Sequence, residues 1–163
     1  MHKLQEQYLF LARHNIHSAE ELVGTIASLT DKKKETSAEK SRIYKARERS
    51  MELFTAADEM ENLKPAEQSY RLGDIFFEDE HRKWVALEQE LQAQGYSLEE
   101  VQALRRHYKE EYSEVCAREK VVCRELNTGK AILNSIIPDS ISDGKKTEYN
   151  REIIRDRKEQ SVR

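Results

Sequence analysis

Five glycines and two prolines in 163 residues leave the backbone few obligatory places to turn. A β-sandwich or barrel needs turn signals every 8 to 12 residues or so, and the chain cannot supply them. Cysteine is nearly absent too. Cys116 and Cys123 stand seven apart on what reads as one helix, about 10.5 Å along its axis, whereas a disulfide needs Cα atoms within about 7 Å. No disulfide framework is available, so a reducing, cytoplasmic setting is expected. Long apolar runs are missing, which argues against a membrane span. The opening "MHKLQEQYLFLARHN" lacks the apolar core and small-residue cleavage site of a signal peptide. No glycine-rich phosphate loop or nucleophile elbow occurs, so neither a small-molecule substrate nor a cofactor is expected. The net charge of -3 argues against wholesale wrapping by nucleic acid while leaving room for a local basic patch.

What is present is charge, 36% of residues, dominated by Glu, Lys and Arg together with Leu, Ala and Gln. These residues lose little freedom in a helix, and the profile is that of long helices with narrow apolar seams. The expected fold is all-α: an antiparallel helical hairpin or three-helix bundle with coiled-coil packing, formed by one domain over 1–137, and a flexible, weakly ordered charged tail over 138–163.

Two capping boxes punctuate the chain, Ser18 with Glu21 and Ser97 with Glu100. Pro65 in "NLKPAEQ" reads as a third helix start, and Gly95 as a stop. The resulting expectation is helices over about 3–13, 18–63, 65–94 and 97–137, with short connections that make neighbours antiparallel. In the last helix Leu98, Val101, Arg105, Tyr108, Tyr112, Val115, Glu119, Val122, Leu126, Gly129, Leu133 and Ile136 follow at alternating spacings of three and four. That is a heptad seam, interrupted by Arg105, Glu119 and Gly129. The middle helix offers Leu72, Ile75, Phe76, Trp84, Leu87 and Leu91, whose bulk is expected to fill most of the core. The first long helix starts a seam at Leu22, Ile26 and Leu29 and resumes it at Ile43, Tyr44, Met51 and Phe54. The polar stretch "TDKKKETSAEKSR" between them contains no glycine or proline, so a continuous helix is expected there.

A middle helix of about 30 residues cannot cover both longer partners, so roughly ten to fifteen residues should overhang at each end. One overhang holds Leu22, Val23, Ile26 and Leu29, which the leading helix could cover through Leu4, Tyr8 and Leu11. The other holds Ile132, Leu133, Ile136 and Ile137, candidate contacts for self-association or a protein partner.

Candidate chemistry is thin. His14 and His17 in "ARHNIHSAEEL" stand three apart among carboxylates, but the metalloprotease pair needs a spacing of four with Glu after the first histidine. Ser18 also begins a helix within the same few residues, which favours a helix junction over a metal site. Cys116, Cys123 and His107 do not make a zinc site from a straight helix. Charge distribution is more informative. Residues 32–49 carry Lys32, Lys33, Lys34, Lys40, Arg42, Lys45, Arg47 and Arg49 against three carboxylates, net +5, while residues 52–100 carry a net -9. Either the basic half of the first helix lies along the acidic middle helix, or its cations touch DNA phosphates in a salt-sensitive, sequence-independent way.

The stretches "RHNIHSAEELVGTIASL", "KSRIYKARERS" and "EVCAREKVVCRELNTGKAILNS" resemble the region following the nuclease domain in relaxases, the mobilization nucleases of conjugative elements from Gram-positive bacteria. The matching positions are Ile16, His17, Ser18, Leu22, Tyr44, Lys45, Cys123 and Ser135, and the likeness covers roughly residues 11 to 137. Relaxases nick DNA with a His-hydrophobe-His element on a strand and a nucleophilic tyrosine. "HNIH" has two intervening residues and no strand, so no active-site residue carries over. The resemblance implies a non-catalytic helical region that mediates protein contacts, with auxiliary DNA contact from residues 32–49, in plasmid or transposon mobilization. The alternative is an antiparallel coiled-coil scaffold or adaptor unrelated to DNA.

Overall fold

Two serines set where the long helices begin. The Ser97 hydroxyl accepts from Glu100 N at 3.2 Å while Ser97 N donates to the Glu100 carboxylate at 2.8 Å, a reciprocal capping box. At Ser18 the hydroxyl accepts from Glu21 N at 3.1 Å, but the Glu21 carboxylate reaches one residue further back, to His17 N at 2.6 Å. The computed structural model describes residues 2–137. It contains α1 (His2–Arg13), α2 (Ala19–Arg49), α3 (Met51–Arg71), a short 3-10 turn (Ile75–Phe77), α4 (Glu78–Ala93) and α5 (Leu98–Ile136). The fold is an all-α helical bundle, with no strand among the described residues. The expected tail over 138–163 lies outside them.

Two expected boundaries move. The first long helix does run unbroken through the polar stretch, but it stops at Arg49 rather than continuing to 63. Ser50 leaves helical geometry at φ -94 and ψ 3, with its hydroxyl donating to the Ala46 carbonyl at 3.1 Å. Such back-bonding competes with the regular ladder, and α3 resumes at Met51. The second correction is larger: Pro65 does not open a helix but sits inside α3. The true stop is Gly73, whose φ of +102 supplies the left-handed conformation that closes a helix C-terminus.

Among the described residues two compact units emerge, one of residues 2–32 and 122–137, the other of residues 33–121. In the second, Leu53, Phe54, Ala56, Ala57 and Met60 of α3 pack with Trp84 and Leu91 of α4 and Val101 of α5. In the first, Phe10 of α1 and Ile16 pack with Leu22, Ile26 and Leu29 of α2 and Leu126 and Ile132 of α5. Each core is built from three helices. The apolar residues expected at two opposite overhangs therefore share one core, because the start of α2 lies beside the end of α5. A single cover serves both. It comes from Phe10, fully buried, with Leu11 half-buried against the same core as expected, whereas Leu4 and Tyr8 are exposed. Ile132 is buried and Leu133 half-buried inside the chain, which removes them as oligomer contacts; Ile137 is half-buried and Ile136 exposed.

The heptad seam of α5 holds, and its interruptions have local causes. Val101, Val115, Leu126 and Gly129 are buried, and Leu98, Tyr108, Tyr112, Val122 and Leu133 are half-buried. Arg105 pairs with Asp58 of α3, Nη2 to Oδ2 at 3.1 Å, with its guanidinium 5.4 Å above the Phe54 ring. Gly129 makes room for a ring: a Cβ there would stand 3.1 Å from both Phe10 Cζ and Ile26 Cγ1.

Gly24, with nothing within 4 Å of a built Cβ, provides the matching control. In urea unfolding, Gly24→Ala should stabilise the chain by about 0.5–1 kcal/mol through helix propensity alone. Gly129→Val should cost about 1–3 kcal/mol through overpacking. Equal effects at the two positions would contradict the close approach of Phe10.

Candidate functional site

The α3–α4 turn is built by its own backbone chemistry. Leu72 N and Gly73 N return to the Gln68 and Tyr70 carbonyls at 3.2 and 2.9 Å, and Asp74 N to the Ser69 carbonyl at 3.1 Å. Asp74 then caps the 3-10 turn by accepting from Phe76 N at 3.1 Å. On the turn closed in this way, three apolar side chains of "LGDIFF" face outward. Leu72 is 91% exposed, and Ile75 and Phe76 are each 80% exposed. The Phe76 ring is braced edge-on by the half-buried Phe77 at 5.1 Å between centroids. These three residues were expected in the core. Placing the helix start at Pro65 put them mid-helix, whereas the Gly73-Asp74 pair puts them at a tip. That Gly-Asp pair is the signal in the sequence that identifies the turn.

Directly behind the tip lies a charged cluster that the sequence does not announce. Glu67 of α3 is 3% exposed and takes Arg71 Nε on one carboxylate oxygen and His81 Nδ1 of α4 on the other, both at 2.8 Å. The His81 ring stacks on Tyr70 at 4.1 Å and 15°. Burial pushes the Glu67 carboxyl up, but the hydrogen bonds and charge of His81 and Arg71 outweigh it and hold the group below its ordinary value. The cluster ties α3 to α4 within a few residues of the turn, so it fixes the angle at which the tip is presented.

Three other histidines are also engaged. His14 meets Glu125 of α5, which also receives Arg13 at 2.8 Å. His17 bonds Asn15 at 2.9 Å, and His107 pairs with Glu111 at 3.2 Å. No group of three or more His, Cys, Asp or Glu side chains able to hold a metal occurs among the described residues, and Cys116 and Cys123 are free thiols. A cleft beside Trp84, lined also by Arg71, Glu88 and Tyr96, measures about 230 Å³. No helix among the described residues is long and apolar enough to cross a membrane.

The eight cations of residues 32–49 do not form one surface. Lys33 and Lys40 are half-buried. Lys40 approaches Glu119 at 3.7 Å and lies over the Tyr112 ring at 5.8 Å, while Glu39 receives Arg118 at 2.9 Å. Lys40 thus meets α5. Lys32, Lys34, Arg42, Lys45, Arg47 and Arg49 are exposed. Of these, Arg42, Lys45 and Arg49 share one stripe at spacings of three and four. No family model matches the chain, and neither does any curated protein or solved structure.

Because the Glu67 carboxyl is held low in the folded chain, its contribution to stability is full above the ordinary value of 4.5 and is lost as pH falls through the folded value. Glu67→Gln should cost about 1.5–3 kcal/mol near pH 7, the range for hydrogen bonds to a charged group. That difference from the parent chain, followed by urea unfolding, should shrink below about pH 4.5. A difference independent of pH would show that Glu67 does not act as a carboxylate.

Proposed function

We propose that this chain is a non-catalytic helical contact module that presents the α3–α4 tip to a partner protein. The observation that carries the reading is the exposure of Leu72, Ile75 and Phe76 on a turn closed by the backbone bonds of Leu72, Gly73 and Asp74 and tied at its base by Glu67. Three large apolar side chains side by side on a rigid turn are what a hot-spot anchor requires, since little freedom remains to be lost on docking. The free thiols of Cys116 and Cys123 suit a cytoplasmic setting. The resemblance to the region behind a relaxase nuclease supplies the setting in which we place the module: assembly of a DNA-processing complex in mobilization. As a scaffold unrelated to DNA it would use the same tip.

A photo-crosslinking residue at Phe76 in the source cells should give discrete protein adducts, and the same residue at exposed Lys109 should not. Absence of adducts from position 76 would remove the contact reading.

Direct DNA contact is a subordinate role, favoured by the exposed stripe of Arg42, Lys45 and Arg49. Three cations neutralise about three phosphates, so log Kobs against log salt on duplex DNA should have a slope no steeper than about -2.7. Fluorescence anisotropy over a salt series reads it. Binding that survives 200 mM salt or so, or a markedly steeper slope, would make DNA the principal ligand instead.

A further inference from the structure

One buried donor in the unit of residues 33–121 lacks an acceptor. Trp84, the only tryptophan of the chain, is 9% exposed, and its indole Nε1 is buried with no hydrogen-bond partner among the described residues. Buried indole N–H groups as a rule are paired, because an unmade bond forfeits the hydration the group had in water. Trp84 also lines the cleft of about 230 Å³, room for roughly seven or eight waters at about 30 Å³ each, or for one small molecule. The other groups around the cleft are of three kinds. Met60 and Leu91, each 1% exposed, supply apolar surface. Arg71 supplies a guanidinium that is tied to Glu67 through Nε, which leaves its terminal nitrogens to donate elsewhere. Glu88 and Glu99 supply carboxylates that pair with no cation among the described residues. A plain carboxylate ligand would be repelled by Glu88 and Glu99, and a plain amine by Arg71. An α-amino acid carries both charges on one carbon.

We propose that the cleft beside Trp84 is a binding site for a free α-amino acid with an apolar side chain. The ligand carboxylate accepts from Trp84 Nε1 and from the terminal nitrogens of Arg71, its ammonium donates to Glu88 or Glu99, and its side chain lies against Met60 and Leu91. Burial fixes Trp84, Met60 and Leu91, whereas the side chains of Arg71, Glu88 and Glu99 are exposed and can adjust to admit the ligand and close on it. A hydrogen bond from a shielded N–H to a carboxylate is charge-assisted and unscreened, so it is among the stronger single contacts open to a ligand of this size. No residue of the Leu72–Ile75–Phe76 tip enters the site, and the inference stands apart from the contact reading.

Because Trp84 is the sole tryptophan, the intrinsic fluorescence of the full purified chain reads the cleft directly. L-leucine, L-methionine or L-phenylalanine should change the emission saturably, at millimolar concentration or below. The deaminated and decarboxylated analogues of the tightest binder, 4-methylpentanoate and isopentylamine in the case of leucine, should each bind about tenfold more weakly or worse. Each loses charge-assisted hydrogen bonds worth more than the increment that changes an equilibrium tenfold. Trp84→Phe keeps a ring and deletes the N–H, and isothermal titration calorimetry should show about a tenfold loss of affinity for the same amino acid. Glu88→Gln with Glu99→Gln should weaken the amino acid but not its deaminated analogue, a split that a merely structural role would not produce. Far-UV circular dichroism should be the same for all three proteins, which separates loss of binding from loss of fold. No saturable change with any of the three amino acids, equal binding of the amino acid and its single-charge analogues, or a double glutamine variant that treats the two alike would overturn the proposal, as would full affinity in Trp84→Phe. Either result leaves the adducts expected from position 76 unaffected.

Discussion

The structure depends on the apolar seam of α5, a helix of 39 residues that contributes to both hydrophobic cores. Alternating steps of three and four keep one narrow stripe facing its neighbours along the helix, because 3.5 residues per repeat nearly matches the 3.6 of the helix. To the α3–α4 hairpin α5 adds Val101, Leu104 and Tyr108, and to α1 and the start of α2 it adds Leu126, Ile132 and Leu133. Departures from apolar character along the seam are compensated locally. The Arg105 charge is met by Asp58 and its guanidinium plane by Phe54, and the missing side chain of Gly129 is replaced by the Phe10 ring.

Against that background the α3–α4 tip stands out as a place where stability is given up. Leu72, Ile75 and Phe76 in water forgo the 1.5–3 kcal/mol or so that burial of each would return. A buried carboxylate beneath them adds a desolvation cost that only the hydrogen bonds of Arg71 and His81 offset. Neither feature is needed to connect two helices, since a short polar turn would serve. Their coincidence within 15 residues, 67 to 81, ties apolar exposure to rigidity, and rigidity is what turns exposed apolar surface from a solubility liability into a specific contact.

Much of the fold was legible because its signals are local. Ser18 and Ser97 fix helix starts through bonds to residues three positions away, and the α5 seam repeats often enough that three exceptions do not hide it. What the sequence concealed depended on choices between competing local signals or on distant pairing. Pro65 is a strong helix-start residue, yet its missing N–H and fixed φ are tolerated within α3, and Gly73 with its positive φ ends the helix instead. Phe10, and not Leu4 or Tyr8, enters the core because the direction in which α1 folds back is set by the hole at Gly129, which lies 119 residues away in the chain. The tip and its Glu67 cluster were lost with the misplaced boundary, so the candidate site was the least legible part. The basic and acidic halves were legible as composition, but that Lys40 meets Glu119 of α5 was not.

That last failure has a physical reason. Net charge over a segment counts cations pointing in all directions, while pairing depends only on those at seam positions. In the polar stretch of α2 Thr36 is buried and Lys33 and Lys40 are half-buried, and Lys40 meets Tyr112 and Glu119 of α5. Thr36 is 7% exposed, and one Glu119 carboxylate oxygen is buried without a hydrogen bond, with Lys40 Nζ at 3.7 Å. Replacing such a pair with apolar residues is often neutral or stabilising, so stability does not explain its presence. Register does. A heptad seam that was apolar throughout could slide by seven residues with little penalty, whereas a displaced Lys40 or Glu119 would face a hydrophobic partner and leave its charge unmet. The Glu39–Arg118 bond at 2.9 Å on the rim of the same layer fails under the same slip. The polar stretch that looked like a gap in the first helix thus holds α2 and α5 in a single alignment.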